Sequence, residues 1–547
     1  YRYFEKAIKA NYIKYKETAN SKYFAQAFYL SETAKYFRLR FNQNENNSFD
    51  YAEIPDSVIQ KARELEINML FLEKQIRHYE GQQLENKKPV LDTIILSLEA
   101  KRLDLQNERT LIIQQLEKHY PVYYRLKYDF STITIREIQT QLLTSNQALI
   151  EYFVGDSSIF IFTITPSEYN VQEIKKDFPL EEWVSDMREG IYTHWLPHEL
   201  KRDKGNYAPN NQKYATAAHS LYGKLIKTIK IDLPEKLIII PDGVLGYVPF
   251  DALLKEMPTI FSNTKNWSYL IEDHQISYSY SATLLEEMKQ KKNNPSKQFL
   301  AFAPVFPALI QDNSKHIASR NVSTLRGNLD SLRYNIPEVE SIQNLIGGDI
   351  YIQRDATLLT FLEHAEKYQI LHLSTHGIAD DRIGDYAFLA FTEIPDSIEN
   401  EKLYIRDLYN LRLNADMVVL SACDTGFGEL QKGEGILSLA RGFAYAGAKS
   451  IINTLWSVDD RSTSEIMTSF YSHLKDGLDK DAALRQAKLD YLKSGNTPDP
   501  FFWAAFVPVG DMSAIEVGRG ASFGVWFGLS FLIVGLFVLI WKSNVIN

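Results

Sequence analysis

Five runs of the chain are apolar almost without interruption: Leu237 to Ile240 in "KLIIIPDG", then "QFLAFAPVF", "YQILHLST", "ADMVVLSA" and "AKSIINTLW". A strand with one wet face alternates apolar and polar residues, so uninterrupted runs belong to strands covered on both faces. Stretches with a helical period lie between them, "EVESIQNLIG", "ATLLTFLEHAEK" and "ILSLARGFAYAG", and "STSEIMTSFYSHLKDG" follows the last. This alternation predicts an α/β fold around a largely parallel sheet. Upstream, "ALIEYFVGDSSIFIFTI" at 148–164 predicts two more strands joined at "GDSS", and "YATAAHSLYGKLIKTI" predicts a helix.

Residues 1–130 carry a different pattern. The first 40 repeat Tyr, Phe, Ala and Leu at helical intervals, the polar "NQNENNSFD" at 42–50 reads as a loop, and Ile59 to His119 resumes the helical period with a break at "ENKKP". Their surfaces are crowded with Glu, Lys, Arg and Gln, so these helices should pair with each other and keep solvated faces. Two readings stay open: a helical hairpin or short coiled coil, or the end of a helical-repeat array. For the second, "AFYLSETAK" resembles the second helix of a tetratricopeptide repeat, although no clean period of about 34 residues is present.

The other end is apolar throughout. Ala521 to Trp541 holds 21 residues without a charge, and a helix of that length spans roughly 30 Å, the thickness of a bilayer core. Trp526 and Trp541 would sit at the two interfaces, while Arg519 and Lys542 flank the run and barely choose an orientation. The expectation is one transmembrane helix at 521–541. With 60 Lys+Arg against 69 Asp+Glu, the net charge of -9 gives no reason to expect nucleic acid as a partner. A single cysteine excludes an internal disulfide and suits a reducing compartment. That thiol and the short tail "KSNVIN" predict a main domain on the cytoplasmic side of the membrane. Beginning at Tyr1, the chain reads as a fragment or a processed product.

In α/β sheets ligands collect beyond the carboxyl ends of the strands. His376 follows the strand ending near Ser374, and Cys423, the one cysteine, follows Met417 to Leu420. If those strands are parallel, both residues lie at one edge. There a thiolate attacks an acyl carbon while the imidazole activates it and protonates the leaving amine. Gly377 offers an unobstructed backbone N–H, and Cys423 a second, for the developing oxyanion. Alone, a cysteine after an apolar strand is more often a buried small residue. Paired with His376 at 47 positions, close to the roughly 50 of caspases, it points to a catalytic dyad.

Taken together, "ILHLSTHG", "VVLSACDTGFGELQKGEGILSLARGFAYAGAKSIINTLWSVDD", "IIIPDGVLGYVPFDALL" and "DPFFWAAFVPVGD" resemble the CHAT domain, the caspase-like domain found beside tetratricopeptide repeats in many bacterial proteins and related to separase-type peptidases. The resemblance covers 141–511. It implies a caspase-like (clan CD) fold with His376 and Cys423 matching the family's dyad, and it fits the helical region before it.

Three acids bear on specificity. Asp424 adjoins Cys423, and Asp459 and Asp460 follow the strand Ser450 to Trp456, so they are predicted to receive a substrate arginine or lysine. The alternative is that Asp460 caps the helix beginning near Ser462. The glycines of 426–435 lack the Gly-Lys-Ser or Gly-Lys-Thr of a phosphate loop and read as a mobile loop, and "GASFG" at 520–524 lacks a preceding strand. No metal or cofactor is expected. Two functions remain: a membrane-anchored cysteine endopeptidase acting on a protein or peptide, with a protein partner at its N-terminal helices, or a non-enzymatic signalling or scaffold protein.

Overall fold

The computed structural model describes residues 1–35, 54–86, 89–120, 124, 131–192, 208–306, 329, 332–378, 387–393, 401–409, 411–422, 429–431, 435–494 and 497–518. Its centre is an eleven-stranded sheet. In chain order the strands are β1 (Gln147–Val154), β2 (Ser158–Ile164), β3 (Tyr169–Lys175), β4 (Lys236–Ile240), β5 (Gln275–Tyr278), β6 (Lys297–Pro304), β7 (Asp349–Gln353), β8 (Tyr368–Ser374), β9 (Met417–Ser421), β10 (Ser450–Thr454) and β11 (Phe506–Gly510). Across the sheet they run β3-β2-β1-β4-β5-β11-β10-β9-β8-β6-β7.

Parallel pairing dominates each half. β1, β4, β5 and β11 run one way, and β10, β9, β8, β6 and β7 run the other. The halves meet at an antiparallel seam, where Ile451 faces Val509 and Ile452 faces Pro508. β2 and β3 add an antiparallel meander at one margin.

The apolar runs are double-sided because both faces are covered. Ile239, Ala301, Ile370, Val419 and Ile452 face one core, beneath α5 (Leu180–Tyr192), α6 (Ala208–Leu225), α8 (Asn335–Ile346), α11 (Asp460–Lys475) and α12 (Lys480–Ser494). The alternate residues Leu300, Phe302, Leu371, Val418, Leu420 and Ile451 face the other, beneath α9 (Leu358–His364) and α10 (Leu439–Tyr445). Opposite parities thus go to opposite layers, as the two-residue period of a strand requires.

On that second side the margin carrying β1–β4 is covered by the first two helices, α1 (Arg2–Thr18) and α2 (Ser21–Ala34), with α7 (Ala282–Gln290) beside them. Phe24 and Phe28 pack on Phe162. Polar contacts fix the docking. Glu5 accepts hydrogen bonds from the backbone amides of Asp156, Ser157 and Ser158 in the β1–β2 turn. A side chain at Gly155 would collide with that carboxylate. Glu32 accepts from the Ala282 amide at 3.0 Å and from the Thr283 amide and hydroxyl at 2.9 and 2.7 Å, so a residue of α2 caps α7. Lys35 Nζ lies 2.8 Å from Glu151 Oε1, both side chains being almost wholly buried.

The helices α3 (Asp56–Asn86) and α4 (Pro89–His119) pack along each other. Ile59 and Ala62, early in α3, share a cluster with Ile113 and Leu116, late in α4, which fixes an antiparallel pair. Leu96, Leu103 and Leu111 of α4 remain largely exposed.

The expected membrane element is corrected. Among the described residues no helix is long and apolar enough to cross a membrane. The run 521–541 lies outside them. The described residues form a mixed α/β caspase-like domain with tetratricopeptide-like helices, and the membrane partner and cytoplasmic-face assignment, which depended on a span that none of them supplies, are withdrawn.

Candidate functional site

β8 and β9 pair in parallel with Ser374 opposite Ser421, and the Thr375 amide donates to the Ser421 carbonyl at 3.3 Å. The carboxyl ends of both strands therefore share one rim. His376 lies just beyond it, half-buried, with its ring 4.7 Å from that of Phe306 and its carbonyl accepting from the Ala390 amide. Gly377 is buried in a small three-stranded sheet, opposite Leu389. Cys423 and Asp424 lie outside the described residues. Beyond them Glu429–Gln431 pairs with Gly435–Leu437 as a two-stranded ladder, which corrects the reading of 426–435 as a mobile loop throughout.

The acids divide their tasks. Asp459 is the N-cap of α11, accepting from the Ser462 amide at 2.9 Å, so the cap falls one residue before the expected Asp460. Asp460 Oδ2 instead accepts the Arg333 amide at 3.1 Å. Burial pushes the Asp460 carboxyl up, while the Arg333 amide and the charge of His376 draw it down.

The segment leading into α8 crosses this rim. Leu332 and Asn335 line, with Ser374, Ser421, Asp460 and Thr463, a cavity of about 20 Å³. Asn335 is fixed there by donating from Nδ2 to the Pro304 carbonyl at 2.8 Å. Outside Asp460 a groove of about 470 Å³ opens between Arg333, Tyr334, Asp459, Arg461 and Phe501.

Beneath the rim, His372 is fully buried. Its Nε2 lies 2.7 Å from Glu338 Oε1 and its Nδ1 3.1 Å from the Tyr471 hydroxyl. Sequence inspection finds the histidine but not its partners, because Glu338 and Tyr471 come from α8 and α11, on either side of it in the chain.

The endopeptidase reading is corrected by these findings. Among the described residues no thiol faces His376, since the chain's one cysteine falls outside them. The described residues do not assemble the expected dyad, and the endopeptidase reading, with its cleaved substrate and hydrolase assignment, is not carried forward.

A family model described as the CHAT domain matches residues 215–511. Tetratricopeptide repeat protein 28 of Mus musculus is 34% identical over 104 residues, and that of Homo sapiens 31% over 104, in each case 19% of this chain and 4% of the relative. The chain thus spans a small fraction of the curated relatives it matches. Among solved structures, a Saccharomyces cerevisiae separase–securin complex aligns with a TM-score of 0.45 at 9% identity, covering 90% of this chain and 41% of that one. The Arg-specific cysteine proteinase gingipain R aligns with a TM-score of 0.33 at 11% identity, covering 61% and 76%.

Proposed function

The chain belongs to the CHAT domain family, and from that premise we propose that it is a non-enzymatic scaffold whose caspase-like domain and helices bind protein partners. The observation that carries this reading is the open groove of about 470 Å³ beside Asp460, bordered by Arg333, Tyr334 and Phe501, which is large enough to receive side chains of a protein partner. The curated relatives are named for tetratricopeptide repeats, a helical-repeat type built for stacking, and that name supports a binding role.

Two surfaces serve the binding. Leu96, Leu103 and Leu111 of α4, between 55% and 63% exposed, offer apolar contact to a partner helix. In the groove beside Asp460, a basic side chain of a partner would pair with Asp460 and lie against Tyr334 and Phe501. His376 and Gly377 then shape the platform rather than perform chemistry.

The test uses the full chain. Treatment with an arginyl acyloxymethyl ketone should give no adduct that depends on Cys423 and His376; a stoichiometric, dependent adduct overturns the scaffold reading. In a peptide array, arginine-containing sequences should be retained over aspartate-containing ones, and the Asp460→Asn variant should lose that preference.

A further inference from the structure

Ser421, at the end of β9, and Thr463, in the first turn of α11, each bury a hydroxyl that has no hydrogen-bond partner. Their residues are 5% and 3% exposed. A buried hydroxyl left unbonded is unfavourable, and native interiors rarely tolerate two in one place. Both residues line the cavity of about 20 Å³ at the rim, together with Ser374, Asn335, Glu338 and Asp460. A water molecule needs roughly 10–15 Å³ and two to four polar partners, whereas apolar cavities stay empty.

We propose that this cavity is an ordered-water site, in which one water bonded to Ser421 Oγ and Thr463 Oγ1 pins the end of β9 to the start of α11. The size admits one molecule and the lining is polar on several sides. The site also has a neighbour of consequence. Glu338 lines it while bonding His372, so the site adjoins the buried Tyr471–His372–Glu338 chain.

The test is a double-mutant cycle in the full chain with Ser421→Ala and Thr463→Val, which remove the hydroxyls with little change of volume. With a shared water, each single variant lowers Tm by roughly 1–3 °C. The double variant then falls by less than the sum, because the second change acts on a water already lost. A dry cavity gives the opposite sign, since Thr463→Val would remove an unbonded hydroxyl and raise Tm, and that result overturns the proposal. A crystal structure decides it independently of the variants' folding. One density peak within hydrogen-bond distance of both oxygens supports the site, while an empty cavity, or a peak with anomalous signal after a rubidium soak, overturns it.

Discussion

The Arg333 amide donates to Asp460 Oδ2 at 3.1 Å, which ties the segment ahead of α8 to the first residue of α11 across the rim below His376. The neighbouring Asp459 is occupied differently, with its carboxylate turned back to the Ser462 amide. Two adjacent acids at one helix start thus have separable roles.

Asp459→Ala should cost about 1 kcal/mol of stability, the usual loss of an N-cap, read as a lower denaturation midpoint. Asp460→Asn keeps an acceptor for the Arg333 amide and should leave the midpoint nearly unchanged while abolishing retention of arginine-containing peptides. If both variants lose stability equally and binding not at all, the division of roles is wrong.

Glu32 satisfies the first amides of α7 from another helix. Glu32→Ala leaves Ala282 and Thr283 with buried, unbonded donors and should destabilise by ~2–4 kcal/mol. Hydrogen exchange should show where: the amides of 282 and 283 speed up well before those of β8 and β9.

The pair Lys35–Glu151 gives a pH signature. Burial pushes the Glu151 carboxyl from 4.5 up to about 8, with Lys35 opposing the rise and Glu32 adding to it. The folded state therefore keeps a proton that the unfolded chain has released. Stabilisation from this group is complete below about 4.5, declines as pH rises, and is lost on passing about 8. Unfolding midpoints of the full chain should fall over that window, and Glu151→Gln, with no proton to lose, should flatten the fall.

Removing the other partner is a different experiment. Lys35→Met removes the cation that opposes the rise of the Glu151 carboxyl, so the fall of the unfolding midpoint with pH should move to higher pH than in the parent chain. An unmoved profile would show that Lys35 does not act on the Glu151 carboxyl.

Much of the sheet is legible in the sequence because β4, β6, β8, β9 and β10 are buried on both faces and read as unbroken apolar runs. β5 has four residues, "QISY", and β7, "DIYIQ", lies at the margin with both ends exposed, so neither has the length or the apolarity to stand out. The reversal at β10–β11 leaves no local trace, since strand polarity is set by connections and not by composition. At the rim, a histidine just beyond a covered strand follows from the strand pattern. The crossing of that rim by Leu332 and Asn335 does not, because those residues precede His376 by about forty positions and have no motif of their own. The docking acids are equally silent, with Glu32 and the Ala282 amide that donates to it 250 positions apart.

The reversal of strand direction makes the molecule two-ended. Tyr1 bonds Asp242 and Glu5 bonds the turn after β1, both at the carboxyl ends of β1 and β4, which point away from the carboxyl ends of β8 and β9. A five-residue strand is about 17 Å long, so the helical input and the His376 side are separated by a stiff slab rather than joined by loops. A load applied to α1 and α2 reaches the far end only by tilting that slab as a body. Communication between the two ends would then be mechanical and all-at-once, with the interstrand hydrogen bonds as its transmission.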